Sequence, residues 1–217
     1  MINKLVEGKR ETWANWASYH LLKWSLVSPA LHIYFRLKIH GAENVPSSGG
    51  AIAVSNHASY FDPPILSNCV GRPVAFMAKE ELFKIPVFKQ GIQLYGAYPV
   101  KRNTGDRAAL RAAAKAINSG WIAAVFLQGQ RSKNARITDP KLGAAWIAAR
   151  EQVPLLPISL WGTEKILTKG SVLPKPAAIT VRIGEIIAPP ASSQKEELQA
   201  VTQKCAAVIN SLHDLGR

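Results

Sequence analysis

Short, nearly uninterrupted apolar runs alternate along the chain with longer segments of helical period. "GAIAVSN" (50–56), "PVAFMAK" (73–79), "WIAAVFLQ" (121–128) and "VPLLPISLWG" (153–162) are apolar on successive positions and bounded by turn formers. That pattern reads as strands buried on both faces. "RLKIHG" (36–41), "IQLYGAYPV" (92–100) and "AITVRIGEII" (178–187) read as further strands. Between them, "PPILSNCV" (63–70) has the length of a short helix. The alanine-rich "TGDRAALRAAAKAINSG" (104–120) begins acidic and stops at a glycine, and "DPKLGAAWIAAREQ" (139–152) follows as a third helix. A final helix is expected from about Ser193 to His213, opened by the capping box Ser193-x-x-Glu196. Alternating short strands and helices predict an α/β fold, a mixed, mostly parallel sheet covered by helices on both faces. No linker or repeat divides it, so one α/β domain is expected over 37–217.

Residues 1–36 break that pattern. Trp13, Trp16 and Trp24 fall with Tyr19, Leu21 and Leu22 in an aromatic-rich helical stretch, interrupted at Pro29 and resumed through Tyr34 and Phe35. Trp and Tyr favour the membrane–water interface, where a ring is half buried and its polar atom stays wet. Lys4, Lys9, Arg10, Lys23, Arg36 and Lys38 flank or punctuate the stretch, as suits an anionic surface. A helical extension lying at the membrane interface and a pair of core-packing helices both fit. The first twelve residues lack the apolar centre of a cleavable signal peptide, and no run of eighteen apolar residues predicts a spanning helix. A peripheral or monotopic protein on the cytoplasmic side of a membrane is the expectation.

Charge adds a preference in partners. The chain carries 27 Lys+Arg against 14 Asp+Glu, a net charge of +13. Residues 72–150 hold fourteen basic and four acidic side chains, a net +10 in that stretch alone. Such a field attracts anionic headgroups, phosphorylated substrates or nucleic acid, and it also suits a merely solvated surface. A nucleic-acid binder has only the charge in its favour, without a recognisable module or a pattern of stacking aromatics, so no nucleic-acid partner is expected. Arg107, Arg111 and Lys115 form a basic stripe on the alanine-rich helix, either a solvated face or a surface for anionic groups. Cys69 and Cys205 lie among apolar neighbours without metal-ligand spacing, and are expected as buried free thiols in a reducing compartment. His20, His32, His40 and His213 lack partners at metal-binding spacing, so no metal is expected.

The candidate chemistry lies in "SNHASYFDPP" (55–64). The strand before it would deliver Asn56 and His57 at its C-terminal end, where α/β sheets place their sites. Asp62 precedes Pro63, which biases it away from helical geometry and suits it to cap the helix Pro63 starts. A turn between the two would bring the Asp62 carboxylate back to the imidazole, fixing its tautomer and leaving the other ring nitrogen as a base. A strand-end histidine beside an unrelated N-cap fits the same five residues.

The surrounding residues extend the pattern. "NHASYFDP" resembles the first motif, NHxSxxDP, of the glycerolipid acyltransferases, the family of 1-acyl-glycerol-3-phosphate acyltransferases. "AKEELFKIPVFKQGIQLYGAYPVKR" resembles the family's second block, "FLQGQRS" stands where the family has FPEGTRS, and "VPLLPISLWG" is similar to the fourth motif, VPIVPV. These four blocks cover about residues 50–163, so the domain over 37–217 is identified as an acyltransferase α/β domain. The resemblance implies transfer of a fatty acyl group from an acyl-CoA or acyl carrier protein thioester to a hydroxyl of lysophosphatidate, in phospholipid biosynthesis. Glycerol 3-phosphate or another lysophospholipid is the alternative acceptor. No cofactor is implied. By that resemblance His57 is the general base and Asp62 orients it, while Asn56 and Ser59 belong to the same motif. Lys79, Arg102 and Arg131 occupy positions that in the family serve the acceptor's phosphate or the site around it; Gly129, which permits a tight turn and close backbone approach, and Lys101 are candidates for the same substrate-binding set. Lys101 departs from the more usual acidic or polar residue before the arginine, adding a cation. Leu127, Gln128 and Gln130 replace the family's Pro, Glu and Thr. Gln128 keeps a carbonyl acceptor without the charge, so a hydrogen bond from Arg131 is expected where the family would have an ion pair. That replacement also admits a lipid-binding member of the same fold without turnover.

Overall fold

The structure is a computed structural model describing residues 28–79, 83–84, 97–100, 107–167 and 173–217. Its centre is a seven-stranded sheet in the order β1-β7-β6-β2-β5-β3-β4, with β1 Lys38–His40, β2 Ala51–Ser55, β3 Val74–Lys79, β4 Ala97–Val100, β5 Ile122–Phe126, β6 Leu155–Trp161 and β7 Thr180–Ile183. Five adjacent strands, from β6 to β4, run parallel. β7 pairs antiparallel with β6, and β1 pairs parallel with β7. The expected mixed, mostly parallel sheet is the observed one.

Every residue of β2 is buried, as its unbroken apolar run requires. Its side chains nevertheless divide by parity between two cores. Ala51 and Ala53 face one side with Ile65, Leu66 and Val70 of α1 (Asp62–Val70). Ile52 and Val54 face the other, with Ala113 and Ile117 of α2 (Arg107–Asn118), Ile147 and Ala148 of α3 (Gly143–Glu151), and Cys205 and Ile209 of α4 (Lys195–Asp214). The alternation is the two-residue period of a strand, and both faces are covered.

This division locates the site. The helix after β2 packs on one face and the helix after β5 on the other, although the two strands are hydrogen-bonded neighbours. Their connections therefore part at the C-terminal edge and leave a crevice there, the place where open α/β sheets put ligands.

Three expectations need correction. The strand expected over 178–187 stops at Ile183; the chain bends at Gly184, and Ile187 forms a separate bridge to Leu155. A Cβ on Gly184 would come within 3.1 Å of Pro157 and Leu212, so the bend lies tight against β6 and α4. At the start of α4 the expected box does not form: Gln194 is the N-cap without a side-chain cap, and Ser192 and Glu197, one residue to either side of the box, bond in the preceding turn instead. The Ser192 amide donates to Glu197 Oε2 at 2.6 Å, and Gln194 N donates to Ser192 Oγ at 3.1 Å. Adjacent Ser-Ser and Glu-Glu pairs make the box easy to misplace, and here the outer pair closes the turn ahead of the helix. Pro29 does not interrupt the helical path: it has helical angles and leads into a π-helical turn, Ala30–Tyr34.

That turn places Leu31 and Phe35 in the core while Ile33 and Tyr34 stay exposed. Residues 1–27, with Trp13, Trp16 and Trp24, lie outside the described residues. Among the described residues no helix is long and apolar enough to cross a membrane, and no His, Cys, Asp and Glu group could hold a metal. Both cysteines are buried.

Candidate active site

β2 ends at Ser55, and the next seven residues fold back on themselves. The His57 Nδ1 lies 2.7 Å from Asp62 Oδ2, and the same oxygen accepts the backbone N–H of Ala58 at 2.7 Å and of Ser59 at 2.8 Å. Asp62 is fully buried. Three donors on one oxygen offset the desolvation of the carboxylate. Sequence reasoning expected Asp62 to cap its own helix. Instead no side chain caps that helix, and the carboxylate ties up the two amides upstream of it. The physical reason is direction: with the turn closed by Asp62 N donating to Ser59 O at 3.3 Å, the side chain points back along the turn.

An ionised carboxylate only accepts, so Nδ1 carries the proton and Nε2 keeps its lone pair. The ring is fixed from a second direction by Phe126, the last residue of β5, which stacks on it with centroids 4.0 Å apart and planes at 13°. The His57 side chain is 13% exposed, enough for one edge to meet a substrate. The chemistry available is that of an oriented, aromatic-backed base.

Asn56 is turned inward. Its Nδ2 donates to Ala135 O at 2.7 Å and to Leu160 O at 2.9 Å, and its Oδ1 accepts Leu160 N at 2.8 Å. With both donors committed, Asn56 holds β2 to β6 and to the loop after β5. Ser59 is likewise buried, its Oγ accepting Phe61 N at 3.3 Å and its own N–H given to Asp62. These two motif residues build the turn.

The segment after β5 forms the other wall. Gly129 N donates to Phe126 O at 2.9 Å, closing a tight turn, and Gly129 sits at φ +67°. No protein atom lies within 4 Å of where its Cβ would be, so it is the positive φ that calls for glycine here. Gln128 corrects a second expectation. Its Oε1 accepts Thr138 N at 2.5 Å, Thr138 Oγ1 at 3.1 Å and Asp139 N at 3.1 Å, and Arg131 is not its partner. The Arg131 guanidinium instead lies 3.6 Å from the centroid of the exposed Tyr60 ring. A solvent-exposed stack of this kind contributes about 0.5–1 kcal/mol and holds a cation beside the crevice without neutralising it. Ser132 N donates to His57 O at 2.8 Å, so the two walls are tied directly together.

Lys79 ends β3, in register with Val100 of β4, at the same edge of the sheet as the ends of β2 and β5. Lys101 and Arg102 lie outside the described residues. The structure thus gathers His57, Asp62, Asn56, Ser59, Gln128, Gly129 and Arg131 at one crevice. Sequence reasoning missed Phe126, Tyr60, Ser132 and Ala135 as parts of it. Tyr60 lies inside the motif and was available to be found; the others have no signal linking them to His57. Cys205 is no nucleophile: burial pushes its thiol up to about 12, far from a thiolate.

A family model described as Acyltransferase matches residues 36–161, more than half of the chain. The chain is 33% identical over 156 residues to a chloroplast 1-acyl-sn-glycerol-3-phosphate acyltransferase of Brassica napus, a match covering 70% of this chain and 45% of that one. A chloroplast protein of the same description from Arabidopsis thaliana is 32% identical over 156 residues, covering 70% and 44%. The chain therefore spans less than half the length of these relatives. Among solved structures, the 1-acyl-sn-glycerophosphate (LPA) acyltransferase of Thermotoga maritima superposes with a TM-score of 0.75 at 27% identity, covering 97% of this chain and 86% of that one.

Proposed function

The chain belongs to the acyltransferase family, and from that premise we propose that it transfers a fatty acyl group from a thioester to a free hydroxyl of lysophosphatidate. The observation that carries the reading is the His57–Asp62 pair, a buried carboxylate holding Nδ1 at 2.7 Å at the mouth of the crevice. His57 Nε2 takes the proton of the acceptor hydroxyl as its oxygen attacks the thioester carbonyl. Asp62 stabilises the imidazolium, and the tetrahedral intermediate collapses with the proton passing from His57 to the departing thiolate. Base assistance of this kind is worth about 10²–10⁴ in rate. The acceptor's phosphate meets Arg131, with Lys79, Lys101 and Arg102 as further cations; Arg offers the planar fork that suits a phosphate. Acyl-CoA or acyl carrier protein supplies the thioester, and no cofactor takes part. The aromatic, basic residues 1–36 hold the site at a membrane surface, where a lysophospholipid acceptor resides.

The reading without turnover rested on Gln128. Its oxygen accepts three hydrogen bonds within the loop, a task a neutral amide performs as a carboxylate would, so the substitution leaves the base and its partner intact. The test is product formation. Purified protein is given lysophosphatidate or the phosphate-free monoacylglycerol, each with a long-chain acyl-CoA and with acyl carrier protein. Phosphatidate from lysophosphatidate, with at least tenfold less product from monoacylglycerol, is expected. Equal use of the two acceptors overturns the phosphate-bearing acceptor, and no product from any pair overturns the enzyme.

A further inference from the structure

We propose that Asn210, in the last turns of α4, is a positioning residue for the acceptor side of the site, acting through the loop that carries Arg131. The inference rests on the proposed phosphate role of Arg131. Asn210 lies well beyond residue 161, where the family match ends.

Residues 131–138 run as a strap between β5 and α3, and the strap is pinned at intervals from different parts of the fold. Ser132 N donates to His57 O. Ala135 O accepts Asn56 Nδ2. Ile137 is gripped at both backbone atoms by one side chain: its N–H donates to Asn210 Oδ1 at 3.0 Å, and its carbonyl accepts Asn210 Nδ2 at 2.9 Å. Thr138 and Asp139 then donate to Gln128, next to the turn at Gly129. The amide of Asn210 thus does for Ile137 what a neighbouring strand would do, with its acceptor and a donor in one planar group.

Two observations accompany this grip. Ala135, the residue Asn56 anchors two positions before Ile137, has φ +56°, a left-handed conformation that a residue with a Cβ adopts at a cost. Ala135 is also buried, so the strain is held by surrounding structure. Beside the grip, Arg136 and Asp214 form an ion pair linking the same two elements. Asn is a poor helix former and, in a helix interior, competes for backbone groups. Its place inside α4, next to the fully buried Ile209, is explained by the bonds it makes outside the helix.

The consequence is division of labour. His57 and Asp62 hold each other's side chains within one short turn, and only the His57 backbone carbonyl reaches the strap, at Ser132. Arg131 depends on the strap for its place over Tyr60 and beside the crevice. Releasing Ile137 frees the strap between Gly129 and Asp139, so Asn210→Ala should raise KM for the phosphate-bearing acceptor about tenfold, with kcat and the donor KM changed less than threefold. In an Arg131→Ala background the same substitution should leave the acceptor KM within twofold, because the group it positions is gone.

Hydrogen exchange supplies a readout independent of turnover. In the full chain, Asn210→Ala should speed exchange at Ser132, Thr138 and Asp139 at least tenfold, while amides of α4 before residue 206 stay as in the wild type. Unchanged exchange at those three amides, or general loosening of α4, overturns the positioning role whether or not the protein turns over lysophosphatidate. An acceptor KM that multiplies independently in the double variant also overturns it. Wild-type protein that forms no phosphatidate defeats the functional reading, while the exchange result still decides whether Asn210 sets the strap.

Discussion

The two walls of the crevice are built by opposite strategies. The turn 57–62 closes by bonds between residues three to five apart, with one buried carboxylate oxygen serving three donors. The strap 131–138 makes its decisive bonds to Asn56 and Asn210, 79 and 73 residues away in sequence. A local turn orders itself as soon as its strand is in place. A strap held by distant anchors is ordered only when β6 and α4 have docked, and it costs more conformational entropy to fix. The first strategy suits a group whose tautomer and direction must be set locally, and the second leaves Arg131 on a segment whose place depends on distant parts of the fold.

Substitutions can break this contrast, and those in the turn should act most strongly on turnover. Asp62→Asn removes the charge that fixes the Nδ1–H tautomer and stabilises the imidazolium. Turnover should fall about 10²–10⁴-fold with acceptor KM little changed, as steady-state kinetics would show. A loss under threefold would mean that the carboxylate serves only the turn. Asn56→Ala strikes where the walls meet. It leaves Ala135 O and both backbone groups of Leu160 without their partners, and each such buried group costs about 1–3 kcal/mol. For a chain of this size a fall in Tm of at least roughly 6 °C by calorimetry is expected, with activity lost alongside stability.

In the strap, Gln128→Ala should cost less, about fivefold to tenfold in kcat/KM, concentrated in KM for the acceptor. Gln128→Glu should sit within about threefold of wild type, since the three donors to Oε1 accept a carboxylate as readily. An increase or loss beyond tenfold for Gln128→Glu would put Gln128 in contact with substrate. The smallest effect should come from His213, three residues past Asn210. Burial holds its pKa below 6.5, against the opposing pull of Glu164. The unfolded chain then binds a proton that the folded one resists, so this contribution to stability is complete above pH 6.5 and declines as pH falls below it. Tm measured from pH 7.5 to 5.5 should drop slightly more in wild type than in His213→Asn.

Sequence legibility follows the same division. The strands were readable because burial on both faces leaves continuous apolar runs, as in β2, β3, β5 and β6. Their neighbours in the sheet were not, since nothing in "TVRI" reveals that β7 runs against β6. His57 and Asp62 could be paired because five residues span one turn, whereas Asn210 and Ile137 carry no mark of each other. Gln128 was misread for a related reason. A side-chain acceptor near an arginine suggests a pair, but three donors from 138–139, brought in by the returning strap, occupy that oxygen first. An asparagine in the interior of a good helix was the one available hint of the α4 anchor.

The central claim is that His57, held by Asp62 and backed by Phe126, is the base of the acyl transfer. The direct measurement is the turnover number of His57→Ala with lysophosphatidate and a long-chain thioester, taken beside its Tm. The account predicts a fall of about 10²–10⁴-fold in a protein that melts within a few degrees of wild type. A folded His57→Ala protein that retains turnover within threefold of wild type would contradict it.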